Sequence, residues 1–227
     1  MFGKVFGSTK RRIGLALMVA LLLVALPAAA FAGKAGAPFT ANGIVYLTDP
    51  GQVELDVEGK SGIIKQETED EQIQGTIVVD GDGWSLDGQT LLVVVSHDSK
   101  VLYDLKANPG LWTIKHGKSQ EKVDLYLLSG EKVFTGQSKA GLTGWFDQSV
   151  FSPTGGCSDA DNASYALKGQ MMDIGTIILE GVGSYAGQSA DGDWAAGLEA
   201  RCGVMGPLPF PILAGQVSMS GMHFSKN

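Results

Sequence analysis

Beyond residue 32, this chain of 227 residues contains a single arginine, Arg201. A surface so poor in guanidinium groups, in which acids outnumber bases, repels phosphate backbones and excludes nucleic acid as a partner. Histidine is scarce too: His97, His116 and His223 are the full set, and no Gly-x-Ser-x-Gly turn accompanies them. The run Ser96-His97-Asp98 does not suit a hydrolytic triad, whose side chains must converge from separate places in a fold. His97 and His116 both read as lying at strand ends. Two cysteines, Cys157 and Cys202, offer no Cys-x-x-Cys cluster for a metal. Helical periodicity is missing after residue 33, which excludes bundles and coiled coils.

What the chain does have begins at its N-terminus. Lys4, Lys10, Arg11 and Arg12 precede an unbroken apolar run, Ile13 to Leu26, followed by Pro27 and Ala30-Phe31-Ala32. A basic start, a short apolar stretch and a small-x-small site describe a cleavable secretory signal peptide over residues 1–32. The apolar run is shorter than the roughly 20 residues of a spanning helix, so no membrane anchor is expected after cleavage. Residues 33–227 then form a single β-rich domain that works outside the cytoplasm: in a periplasm, on a cell surface or fully secreted. Cleavage removes four of the 17 basic residues and none of the 24 acidic ones, taking the net charge from −7 to −11. In an oxidising compartment Cys157 and Cys202 are expected to form a disulfide. Closing a loop of that size contributes about 4 kcal/mol.

Short β-branched and aromatic runs alternate with Gly, Asp, Asn and Pro along the mature chain. Strands are expected at 43–48, 53–58, 73–79, 90–96, 101–105, 111–115, 123–128, 142–150, 167–171, 175–181, 195–202 and 213–224. Turns such as Asp80-Gly81 and Asn108-Pro109-Gly110 separate many of them. The acidic stretch Gln66 to Gln72 reads as a solvated loop or hairpin tip. An apolar-x-Gly-x-apolar pattern recurs around Gly75, Gly144, Gly169 and Gly215. Residues i, i+2 and i+4 of a strand share one face, so each glycine falls among inward apolar residues, where it marks a bend. Repeated bends let a sheet curl and close, which favours an antiparallel β-barrel over a β-sandwich. A small outer-membrane barrel is the lesser alternative; the modest aromatic content argues against it.

The candidate chemistry is thin. His223 falls in phase with Leu213, Gly215, Val217, Met219 and Gly221, and so is the one candidate for a ligand-binding residue inside the barrel. Asp80-Gly-Asp82 and Asp191-Gly-Asp193 are the calcium candidates, as is Asp159-Ala-Asp161, because alternate acids in a tight loop supply hard oxygens. Counting from Asp80, the EF-hand positions hold Trp84, Ser85 and Leu91, so that loop is absent, and no cofactor is otherwise implied. Trp84, Trp112, Trp145 and Trp194 are expected in the core rather than in a sugar-stacking platform. Gly110-Leu-Trp112 repeats the Gly-x-Trp of lipocalins, but mid-chain, and assigns no family. Asn162 is a glycosylation acceptor where the host glycosylates. The Pro-broken segment Met205 to Leu213 is expected as a buried crossover, with an exposed partner loop as the alternative. These features point to an exported barrel that binds a small molecule or carbohydrate, or that serves structurally in the envelope. The alternative is a barrel enzyme (isomerase, cyclase or hydrolase) whose polar residues converge inside. Nothing indicates an oligomeric state.

Overall fold

A computed structural model describes residues 36–58, 62–148, 167–205 and 208–225, with backbone alone at 58, 168, 202–205 and 208–213. The expected signal peptide, Cys157, Asp159, Asp161, Asn162 and the side chain of Cys202 lie outside the described residues, and the expected disulfide with them. The described chain is antiparallel β-structure: β1 (Ala37–Asp49), β2 (Gln52–Glu58), β3 (Ile63–Asp80), β4 (Thr90–Asp104), β5 (Leu111–Leu127), β6 (Lys132–Asp147), β7 (Leu167–Gly181), β8 (Ser189–Met205) and β9 (Leu208–Phe224). From β3 to β9 each strand pairs with the next, and β9 returns to β1, which also pairs with β3. The result is a closed eight-stranded up-and-down barrel, and the sandwich alternative falls away.

β1 and β2 are successive halves of one wall strand. β1 pairs with the second half of β3, from Thr40↔Asp80 to Asp49↔Gln72, and β2 with the first half, from Gln52↔Glu69 to Glu58↔Ile63. On its other side β1 pairs with β9 from Ala37↔His223 to Tyr46↔Ala214. Beyond that point β2 and β9 are not paired among the described residues, so the seam is zipped at one end only.

Two of the patterned glycines show why the wall can bend this sharply. A Cβ placed on Gly75 would lie 1.9 Å from the carbonyl oxygen of Ile44, and one on Gly215 would lie 1.6 Å from that of Gly197. Neighbouring backbones cross there at a separation that leaves no room for a side chain.

Alternation along the strands fills the interior. One apolar cluster, including Val45, Ile77, Leu91, Val93, Leu125, Phe134, Leu179, Val217 and Met219, packs the zipped end. The β3–β4 connection folds over that end as a plug: Trp84 and Leu86 are buried, and Trp84 packs edge-on against Phe39 and Phe134. A smaller cluster at the other end holds Ile64, Val101, Tyr103, Trp112, Ile114, Leu142, Phe146 and Ala200.

Three expectations are corrected. The stretches 90–96 and most of 101–105 belong to one strand, β4, because the polar residues between them keep alternating in and out, and 111–115 and most of 123–128 belong to β5, which continues through a bulge at Lys115. Gln66 to Gln72 is not a loop. It lies within β3, paired to β4, with a bulge between Thr68 and Glu71. The described part of the segment Met205 to Leu213 is not a crossover: Met205 ends β8, and residues 208–213 form the first part of β9, paired to β8 from Met205↔Leu208.

Candidate functional site

Between the two apolar clusters lies a layer of buried polar side chains. β4 delivers its centre: Val93, Val95, His97, Ser99 and Val101 alternate inward, so His97 sits mid-strand, in the wall, rather than at a strand end. Cross-strand register builds a row from it. Glu71 of β3 opposes His97, His97 opposes Glu121 of β5, and Glu121 opposes Ser138 of β6. The bulge in β3 sets the first member. Asp70 takes a left-handed φ of 58°, and its N–H donates to Asp98 Oδ1 at 2.9 Å. The extra residue shifts the alternation by one, which turns Glu71 towards His97. Asp173 reaches the same layer from β7, accepting a hydrogen bond from Ser119 Oγ at 3.1 Å.

The imidazole stands between acids. Nδ1 of His97 lies 2.6 Å from Glu71 Oε2, although its N–H is not aimed along that contact. Nε2 faces the other way, 3.7 Å from Asp173 Oδ2 and 3.8 Å from Glu121 Oε1. Both carboxylate oxygens of Glu121 are buried without a hydrogen-bond partner, as is Ser138 Oγ. Burial opposes charge on His97, but Glu71 and then the charges of Asp173 and Glu121 outweigh it and raise the imidazole above its ordinary 6.5. Burial, followed by the charge and proximity of Glu121, pushes the Asp173 carboxyl up to about 8, with His97 and Ser119 pulling the other way. Both groups are thus held towards their protonated forms, and perturbed titration of this kind clusters at functional sites.

Two spaces adjoin the layer. On the side of the plugged end, a void of about 10 Å³ is bounded by His97, Glu121 and Asp173 together with apolar residues such as Val95 and Trp194. On the other side, a cavity of about 110 Å³ has Glu71 and His97 at its base and Tyr103, Trp112, Phe146 and Met171 among its walls. Leu47, the first β1 residue past the last β1–β9 pair, also lines the cavity, which therefore lies beside the unzipped seam.

No family model matches the chain, and neither does any curated protein or solved structure. The fold and the polar layer are what bear on function.

His223 does face inward, but at the plugged end and away from this layer. Its Nε2 lies 3.3 Å from the backbone oxygen of Asp82, and its ring stacks on Trp84. Asp80 ends β3, and Asp82 is exposed in the turn that follows. Asp191 and Asp193 lie on β8 itself, in a paired strand rather than a loop. Among the described residues, three converging ligand groups occur only at His97, Glu121 and Asp173. His116 is exposed on β5. Trp84, Trp112 and Trp194 are buried, and Trp145 is half-buried. The sequence reading missed Glu71, Glu121 and Asp173. A signal for His97 was present, since 95, 97, 99 and 101 keep one phase with the apolar run.

Proposed function

We propose that the protein is an exported barrel that binds a small organic cation, such as a primary amine attached to an apolar body, in the cavity above the polar layer. The observation that carries this reading is a carboxylate, Glu71, at the base of an aromatic-walled cavity, the larger of the two spaces that adjoin the polar layer. Ligand sites are typically concave and mostly apolar, with a few convergent polar groups. A single carboxylate, Glu71, at the cavity's base favours a positive guest, and the aromatic rings of Tyr103 and Trp112 in its wall add cation–π attraction. The cavity is smaller than the roughly 300–1,000 Å³ of drug-sized sites, so the ligand is fragment-sized. Burial of three of the four tryptophans favours an amine over a carbohydrate. Lys118, Gln120 and Lys122 are exposed on β5 while Val123 and Leu125 are buried, a polarity that supports work in water rather than in lipid.

Benzylamine is the probe. Titrated into the labelled protein, it should shift the Trp112 indole resonance saturably, and Glu71→Gln and Trp112→Ala should each weaken that binding at least tenfold. A titration that moves no resonance of the cavity residues sinks the reading.

One observation favours an enzyme instead. Asp173, with its carboxyl pushed up to about 8, stands beside His97, and such a pair can relay a proton at neutral pH. A bound amine recovered chemically unchanged after prolonged incubation supports the binder; conversion supports the enzyme.

A further inference from the structure

We infer that His97 Nε2, Glu121 and Asp173 hold a single divalent ion of the zinc or manganese type inside the barrel. The ligand atoms of these three residues lie within 4.8 Å of one another, and all three residues are buried. Nε2 is 3.7 Å from the Asp173 oxygen and 3.8 Å from the Glu121 oxygen. Ligands at about 2.0–2.2 Å from zinc stand roughly 3.4 Å apart in a tetrahedral shell, so shifts of a few tenths of an ångström bring each of these oxygens to that separation from Nε2.

Three independent features aim at that point. The carboxylate of Glu121 is almost wholly buried, and neither of its oxygens has a hydrogen-bond partner. A sealed, unpartnered carboxylate calls for a cation or a proton. The void of about 10 Å³ is bounded by the same three residues, with apolar side chains making up the rest of its wall. That is room for about one atom. Finally, Glu71 sits against Nδ1, on the far side of the ring from Nε2. Once the ring turns so that Nδ1–H donates to it, a carboxylate in that place orients an imidazole and raises its basicity towards a metal.

The donor set narrows the ion. One nitrogen and a few carboxylate oxygens fall short of the 6–8 oxygens that calcium takes. Imidazole with carboxylates suits zinc or manganese, with Ser119 holding Asp173 in place as an outer partner.

The test uses the purified protein stripped with EDTA, with Zn²⁺ and Mn²⁺ as probes in titration calorimetry. One ion should bind per chain, and Glu121→Gln and Asp173→Asn should each weaken binding at least tenfold. Glu71→Gln should weaken it about tenfold through the imidazole. Asp191→Asn, on the outer wall, should leave it unchanged. X-ray absorption of the zinc-loaded wild type should show one imidazole nitrogen with oxygen ligands at about 2.0–2.2 Å, and this measurement decides the matter even where a variant fails to fold. No saturable uptake of either ion, uptake undiminished in both carboxylate variants, or a sulfur-containing or all-oxygen shell overturns the inference. Benzylamine binding without ion binding would remove this site and leave the cavity reading intact.

Discussion

The imidazole of His223 lies flat on the indole of Trp84, with ring centroids 4.9 Å apart and planes 5° from parallel. Trp84 is held from other sides as well: Phe39 and Phe134 pack edge-on, and its Nε1–H donates to Gln188 Oε1 at 3.2 Å. One side chain on the β3–β4 connection thus ties together β1, β6, β9 and the approach to β8.

Removing that side chain should therefore open the plugged end. Trp84→Ala is expected to cost about 3–5 kcal/mol, as for other buried aromatics cut to alanine, measured by urea unfolding. His223→Phe keeps a flat ring against the indole and should lose less than His223→Ala. Equal losses for the two would show that stacking is not what holds the plug.

The bulge at Asp70 makes a sharper test, because its backbone conformation separates residue types. At φ 58° glycine is at ease and a β-branched residue is not. Asp70→Gly should stay within about 1 kcal/mol of wild type, whereas Asp70→Val should lose about 1–2 kcal/mol more. A matching disturbance should reach Glu71, read as a shift of the His97 ring resonances. If valine and glycine behave alike in denaturant unfolding, the left-handed bulge is not present in solution.

The polar layer also predicts how the metal-free protein responds to pH. Asp173 carries a folded pKa above its unfolded value, so between about pH 4 and about 8 the folded chain holds a proton that the unfolded chain gives up. Stability must fall as pH rises through that window. His97 acts in the same direction: its raised pKa contributes stability that is fully present below about 6.5 and is lost as pH climbs through the folded value. Unfolding midpoints should therefore decline from about pH 5 to about pH 9. Asp173→Asn should flatten the decline. A profile that rises over this range would contradict the assignment of both groups.

How much of this could be read from the sequence follows from where period two is kept and where it slips. β9 was legible: Gln216, Ser218, Ser220 and Met222 are exposed, while Val217, Met219 and His223 are buried. The glycines among its inward residues pointed correctly to a closed wall. β3 and β5 were not legible as single strands, because each carries a bulge that reverses the phase. Thr68 and Ile73 both face inward although they differ by an odd number of residues, and the same is true of Ile114 and Ser119. A stretch such as Gln66 to Gln72, with its acids and a phase slip, looks like loop by every local criterion. Glu71 and Glu121 keep phase with Ile73 and Val123, but they stand in polar runs where a charged side chain reads as solvated, and Asp173's place in the layer depends on closure of the barrel, which no local pattern encodes. His97 was in phase throughout; its polar neighbours Ser96 and Asp98 simply point outward.

The seam carries a consequence for how the chain reaches this state. β1 meets β3 across a few tens of residues, but it meets β9 through pairs such as Thr40↔Ser220, which span almost the whole domain. Emerging N-terminus first, the chain can build β1 to β8 as an open, curling sheet long before its last partner exists. Loop-closure entropy for that final pairing is paid late, and topologies dominated by such distant contacts fold slowly. Until β9 arrives, one edge of β1 and one edge of β8 stand bare, the condition in which sheets pair with the wrong chain. Among the described residues, the stretch of β9 beside β2 stays unpaired on that side, a remnant of the same bare edge.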